Sequence, residues 1–310
     1  MVRAEAIARE FFGQGATSVE ALLGLGSVNE IFVAQFPKNR IIIRLPKPED
    51  QHRAGAFYEK ELWCLEQATL LKIPSPLVLK LSTHDGWPYQ IQSFVEGVNG
   101  EQSALSPTVL WQTLGEYARR FHKCHLSGFG DSASIFSFTN TREEPTSLDI
   151  FCPTPAQRGW QRFLRYNLAS LTDDDPLLAL GVYAPSQRDV IHAHFSELYL
   201  REFRFGLCHG DLAPRNTIVA SDGTLFLLDW GCAESHLVPH YDLLNVPTEH
   251  QDAFLDGYGW PITARATLLA EVKNLALLKS FDLVRWAIDR CPERIEELAE
   301  KARKQVKVSV

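Results

Sequence analysis

A chain of 310 residues with 45% hydrophobic and 22% charged side chains has the composition of a globular protein with room for two lobes, each with its own core. Its net charge of −7 argues against broad electrostatic binding to nucleic acid, and its longest apolar runs, such as residues 225–228, are far too short to span a bilayer. The six cysteines (Cys64, Cys124, Cys152, Cys208, Cys232 and Cys291) form no C-x-x-C pair, which speaks against a disulfide framework or a zinc site; with no secretory signal in "MVRAEAIAREFFGQG", the expected location is the cytoplasm.

In chain order, the opening segment patterns as an amphipathic helix with Ala4, Ile7, Ala8 and Phe11 on one side. "VEALLGLGSVNEIFVAQF" reads as two strands joined by a Gly/Ser/Asn turn, and "NRIIIRLP" as a third strand bounded by Asn39 and Pro46. "AGAFYEKELWCLEQATLL" is helical, with Phe57, Glu61, Leu65 and Ala68 on one face. "WPYQIQSFVEG" returns to strand until Gly97 ends it. The remainder is dominated by helical patterns at 107–126, 156–171, 187–203 and 264–303. A β-rich first lobe followed by a larger helical one is an α+β arrangement; the expected division is 1–96 and 97–310, with a hinge at Ser93 to Gly100.

Among the later helices lies "LCHGDLAPRNTIVASDGTLFLLDWG", Leu207 to Gly231. Asp222-Gly223 suits a two-residue hairpin turn, because both central positions need positive φ. That turn would pair "TIVAS" with "TLFLL" and set Asn216 opposite Asp229 at the open end, with Cβ atoms roughly 5 Å apart. Two oxygen-bearing side chains at that separation suit one Mg²⁺, with phosphates and water as its other ligands. Asp211, on the loop feeding the hairpin, is then placed to meet an attacking hydroxyl. The spacing H-x-D-L-x-x-x-N followed by D-x-G is that of kinase catalytic and metal segments.

"HGDLAPRN" with "LLDWG" resembles the aminoglycoside phosphotransferase family, small-molecule kinases of protein-kinase-like, two-lobed fold. The likeness covers most of the chain: "GLGSVNEIF" is similar to the nucleotide loop, "IIIRLP" to the third strand, "QSFVEG" to the hinge and "HYDLLN" to the segment after the metal site. It implies Asp211 as catalytic base, Asn216 and Asp229 as metal ligands, and His209 as an organiser of the catalytic loop. It also implies ATP or GTP as phosphate donor and a small hydroxylated acceptor, an amino-sugar foremost. The chain departs from the family at Ala213, where His is usual, and at Arg215, where Gly is usual. Arg215 is open to three readings: phosphate contact, acceptor contact or solvent-facing side chain.

On the nucleotide side the resemblance puts Arg44 where protein kinases carry a strand lysine, and a guanidinium there grips phosphate oxygens in bidentate fashion. Glu59 and Glu61 are its candidate partners; Glu61 is preferred, since a carboxylate in an apolar stripe needs a counter-charge. Ser27 and Asn29 are expected at the β- or γ-phosphate, and the main chain of Ser93 and Val95 at the adenine edge. Candidate acceptor carboxylates are Asp173 to Asp175, Glu234, Glu249, Asp252 and Asp256, with Glu234 foremost. Asp242 is expected to buttress the catalytic loop.

Overall fold

The computed structural model describes residues 1–13, 15–22, 28–136 and 153–310. Helix α1 (Val2–Phe12) buries Ala4, Ile7 and Ala8, which the i, i+3, i+4 spacing brings to one face. These meet an antiparallel sheet of β1 (Ser18–Ala21), β2 (Asn29–Gln35), β3 (Arg40–Pro46), β4 (Val78–His84) and β5 (Trp87–Ser93), in spatial order β1-β2-β3-β5-β4. The β2–β3 register sets Phe32 opposite Ile43 and Ala34 opposite Ile41, so the alternating apolar residues share the face that packs on α1.

Helix α2 (Gln51–Leu70) lies between β3 and β4 in the chain. Its buried stripe is Ala54, Tyr58, Glu61, Leu65 and Ala68; Tyr58 takes the place expected of Phe57, which is half-buried at the edge. Trp63, Cys64 and Leu65 of α2 share a core with Phe121, Leu227 and Trp230 of the second lobe, so this helix is packed against both.

The second lobe begins with β6 (Val98–Asn99) and α3 (Pro107–Phe121), the latter started by the Ser106 hydroxyl accepting from Val109 N–H and by Pro107. A capping box between Thr154 and Gln157 opens α4 (Pro155–Ala169). The short α5 (Pro176–Ala179) and α6 (Arg188–Leu200) follow, then strands β7 (Phe205–Cys208), β8 (Thr217–Val219), β9 (Leu225–Leu227) and β10 (Glu234–Leu237). Strand β6 pairs with β8, which pairs with β9, while β7 pairs with β10. Helices α7 (His240–Leu243), α8 (Gln251–Tyr258), α9 (Ile262–Arg290) and α10 (Ile295–Ser309) complete the chain. The expected single helical stretch at 264–303 is therefore two helices. Pro292 lacks the N–H a helix interior needs, and the break falls at Cys291 to Arg294.

Helices α3 and α8 cross at two glycines. A Cβ on Gly115 would lie 2.1 Å from the Phe254 carbonyl oxygen, and one on Gly257 would lie 1.9 Å from that of Gln112. Among the described residues no helix is long and apolar enough to cross a membrane.

Candidate active site

The hairpin at 216–229 is real, but its register is one residue from the sequence expectation. Thr217 pairs with Leu227 and Val219 with Leu225, and Leu228 N–H donates to Asn216 O at 2.9 Å. The turn holds three residues, Ser221 to Gly223, with Gly223 N–H bonded to Ala220 O and Gly223 at φ +85°. A type I turn closed by a left-handed glycine is the alternative to the two-residue Asp-Gly turn. Asn216 therefore lies opposite Leu228, and a regular strand would send Asp229 to the opposite face. Asp229 instead adopts φ 56° and ψ 73°, a left-handed conformation rare for a residue with a Cβ, which ends the strand and re-aims the carboxylate. Its side chain stays about half exposed.

Asp211 and Asn216 are brought together by two hydrogen bonds. Asn216 Nδ2 donates to Asp211 O at 2.7 Å and to Asp211 Oδ2 at 2.8 Å. The other carboxylate oxygen of Asp211 accepts from Arg215 Nη2, four residues on, in a partly exposed ion pair. With its amide nitrogen committed, Asn216 has its carbonyl oxygen left to offer a cation.

Beneath these residues Asp242, fully buried, fixes the loop that carries Asp211. It accepts the main-chain N–H of His209 at 3.0 Å and of Gly210 at 2.8 Å. His122 Nε2 lies 2.9 Å from Asp242 Oδ2, and His122 Nδ1 lies 3.1 Å from the Tyr258 hydroxyl. Burial alone would raise the Asp242 pKa; the hydrogen bond from His122 and the nearby His209 outweigh it and hold the carboxyl below its ordinary value. Burial lowers the His122 pKa against the pull of Asp242, which favours the neutral imidazole, whose Nε2 faces the carboxylate and whose Nδ1 faces the tyrosine hydroxyl. His209 faces away from solvent: Nε2 is 2.9 Å from Leu228 O and its ring lies against Trp230. It ties the 208–216 loop to the residue preceding Asp229.

Arg44 on β3 meets Glu61 on α2, Nη1 donating to both carboxylate oxygens, and its Nη2 lies 3.6 Å from Asp229 Oδ1. Burial opposes the charge on Arg44, but Glu61 and Asp229 beside it raise its pKa above the ordinary value. One helical turn thus links the strand cation, the re-aimed carboxylate and, through Lys60, the segment that leads into β10. The buried Lys60 Nζ donates to Ala233 O at 3.0 Å. Sequence reasoning missed Lys60, His122 and Tyr258; the visible signal for Lys60 was a cation next to Glu61 on a helix with an apolar stripe.

The remaining nucleotide-side candidates fall in different places. Ser27 lies outside the described residues, as do the two glycines before it. Asn29 is buried at the start of β2, and its Oδ1 accepts from the Tyr58 hydroxyl at 2.8 Å, which ties it to α2. Ser93 ends β5 with its N–H donated to Leu77 O at 2.8 Å; Val95 follows, half-buried, in the connection to β6.

Glu234 opens β10 opposite Cys208, mostly covered, with Lys279 Nζ at 3.7 Å. Burial pushes its carboxyl above the ordinary range, opposed by Lys279 and by a hydrogen bond with Tyr241. Other acidic candidates are also paired within the chain: Asp173 with Arg188 at 2.6 Å, Asp175 with Arg285 at 2.8 Å, and Asp252 with Arg265 at 2.9 Å. Arg265 also reaches Asp256. Asp175 is in addition the cap of α5, its Oδ1 accepting from Leu177 N–H.

The donor set fits a hard divalent cation: a half-exposed carboxylate at Asp229 and an amide oxygen at Asn216, its nitrogen turned to Asp211. Next to it stand a second carboxylate and a guanidinium held charged. This is the inventory for moving a phosphoryl group, where positioning and charge neutralisation dominate.

Comparison with solved structures shows the same two-lobed, protein-kinase-like fold. The GDP and kanamycin complex of APH(2")-IIia shares 17% identity over 100% of both chains, with a TM-score of 0.67. The macrolide 2'-phosphotransferase MphH from Brachybacterium faecium shares 18% over 96% of each chain, with a TM-score of 0.65. Choline kinase LicA from Streptococcus pneumoniae shares 15% over 99% of this chain and 100% of its own, with a TM-score of 0.61. No protein of curated function matches in sequence. The sequence model of the phosphotransferase enzyme family matches residues 22–287, and the chain belongs to that family.

Proposed function

We propose that the protein is a small-molecule kinase that moves the γ-phosphate of ATP or GTP to a hydroxyl of its acceptor, with residues 1–96 as the nucleotide-binding lobe and 97–310 as the acceptor lobe. The observation that carries this reading is a pair of side-chain groupings at the two ends of one hairpin segment: Asp211 bonded to Asn216, and Asp229 reached by Arg44 of the first lobe, which Glu61 holds. In this reading the acceptor oxygen attacks the γ-phosphorus as the bond to the β,γ-bridging oxygen breaks, and the hydroxyl proton passes to Asp211 late in the step. Arg44, aimed by Glu61, binds phosphate oxygens, and His209 and Asp242 hold the loop that carries Asp211. Asn216 and Asp229 would hold Mg²⁺, which supplies neutralisation of the triphosphate charge.

For the acceptor, an amino-sugar is our first reading. The fold neighbours solved with kanamycin and with spectinomycin support it. A second reading is favoured by one specific observation: Asp173, Asp175, Glu234, Asp252 and Asp256 already have cationic partners in the chain. Carboxylates so neutralised hold a polycation weakly, and a neutral or singly charged hydroxylated acceptor, as for macrolide phosphotransferase or choline kinase, suits them better. A screen of aminoglycosides, macrolides, choline and simple sugars with Mg²⁺ and ATP or GTP, run beside a resistance test in a sensitive host, decides between them. Absence of transfer to every acceptor class from both nucleotides would overturn the kinase reading.

A further inference from the structure

Both oxygens of Asp211 are occupied. Oδ2 accepts from Asn216 Nδ2 at 2.8 Å and Oδ1 accepts from Arg215 Nη2. A hydroxyl that is to hand its proton to Asp211 needs one of these oxygens. Asn216 is poorly placed to yield. Its amide is held a second time by Asp211 O at 2.7 Å, and its main chain is bonded to Ala213 O at 3.0 Å and to Leu228 N–H at 2.9 Å.

Arg215 is built differently. Its stem is fixed, since its carbonyl accepts from Asn99 Nδ2 at 2.8 Å, which ties the catalytic loop to β6. Its side chain is 51% exposed and, among the described residues, makes no hydrogen bond besides the one to Asp211. A long, half-solvated side chain on an anchored main chain can change partners at small cost, because only side-chain torsions move. Releasing Asp211 leaves the guanidinium in search of an anion. The group arriving beside Asp211 in the transfer is the γ-phosphoryl, whose equatorial oxygens match the planar fork.

We propose that Arg215 is a phosphate-binding residue of the transfer centre, exchanging Asp211 for the γ-phosphoryl as the acceptor hydroxyl takes its place on the carboxylate. Arg44 holds the phosphates from the nucleotide lobe, and Arg215 closes on the transferred group from the opposite side. No proton leaves Arg215; it contributes charge and two aligned donors. The inference rests on the phosphotransfer reading of the site. It also accounts for an arginine where the family resemblance leads one to expect glycine.

Calorimetry of Mg·ADP and Mg·AMP-PNP, and of their guanosine equivalents, on the wild type, Arg215→Gln and Arg215→Lys tests it. The wild type is expected to bind AMP-PNP more tightly than ADP. Arg215→Gln keeps ADP affinity and loses about 10- to 100-fold for AMP-PNP, the range for a charge-assisted phosphate contact. Arg215→Lys, which keeps the charge and lacks the fork, falls between, and decides the question if Arg215→Gln does not fold. An unchanged AMP-PNP to ADP ratio in these variants overturns the proposal, as does an equal loss for both nucleotides, which marks a structural role. The two readings separate cleanly. Loss of the ratio in a protein that phosphorylates no acceptor upholds Arg215 and defeats the kinase assignment, whereas transfer with an unchanged ratio defeats Arg215 alone.

Discussion

Lys60 Nζ, on α2 of the first lobe, donates to the carbonyl oxygen of Ala233, four residues beyond Asp229, at 3.0 Å. The neighbouring Glu61 holds Arg44, and Arg44 approaches Asp229. One turn of helix therefore grips the segment after the hairpin at two points. The ammonium group is buried, and its removal strands a carbonyl away from water. Lys60→Met is expected to cost about 1–3 kcal/mol of stability and to weaken Mg·nucleotide binding, because α2 loses one of its two holds. Urea unfolding and calorimetry read the two effects; a variant as stable and as tight as the wild type would show the contact to be idle.

Asp211→Asn keeps the shape of the residue and removes the proton acceptor. Turnover is expected to fall by roughly 10²–10⁴-fold, while Mg·ADP affinity stays within about threefold of wild type. Single-turnover transfer assays, alongside nucleotide titration, check this. Retained turnover in purified Asp211→Asn would remove Asp211 from the role of base.

Asp229→Ala deletes a candidate metal ligand and a neighbour of Arg44. Nucleotide binding that depends on Mg²⁺ is expected to disappear, leaving the weaker metal-independent component that Arg44 supports. Titrations with Mg²⁺ and with EDTA are expected to coincide for the variant and to differ for the wild type. A persisting Mg²⁺ dependence would place the cation elsewhere.

Acid is expected to destabilise the protein through its buried histidines. His122 and His236 are buried, and burial depresses the pKa of each below 6.5. As the pH falls through 6.5 the unfolded chain takes up protons that the folded chain does not, so stability drops on acidification, by up to about 1.4 kcal/mol per pH unit for each histidine. Asp242, also depressed when folded, adds a further loss once the pH falls below its ordinary value of 3.8 towards the folded one. Urea unfolding at pH 7.5, 6.5 and 5.5 measures the first effect. A flat profile across that range would mean that both imidazoles accept protons inside the native protein.

Much of this site is legible in the sequence because its chemistry is carried by spacing. His209, Asp211, Asn216 and Asp229 sit within one strand-loop-hairpin unit, so their separation along the chain translates directly into separation in space. The pairing of Glu61 with Arg44 is legible for another reason: a carboxylate within an apolar helical stripe demands a counter-charge. The hairpin register was not readable from the Asp-Gly dipeptide, since the same two residues close a three-residue loop when Ser221 joins them, and one residue decides which side chain opposes Asn216. The partner of Lys60 was beyond reach because it is a main-chain oxygen 173 positions away. The pairing of the acidic candidates is hidden in a similar way. Their cationic partners, Arg188, Lys279, Arg285 and Arg265, come from distant or differently facing turns, and no local pattern pairs them.

Where α3 and α8 cross, the two backbones touch with no side chain between them, so the spacing of these helices has no slack. Tyr258, next to Gly257, props His122, which props Asp242 and through it the loop bearing Asp211. A single added methyl group at Gly115 or Gly257 therefore pries at the base of a column whose top is the Asp211 carboxylate. Inactivating mutations collected at random from this protein are expected to include bare glycine-to-alanine changes that alter no charged group of the site and are silent in any inventory of its charges.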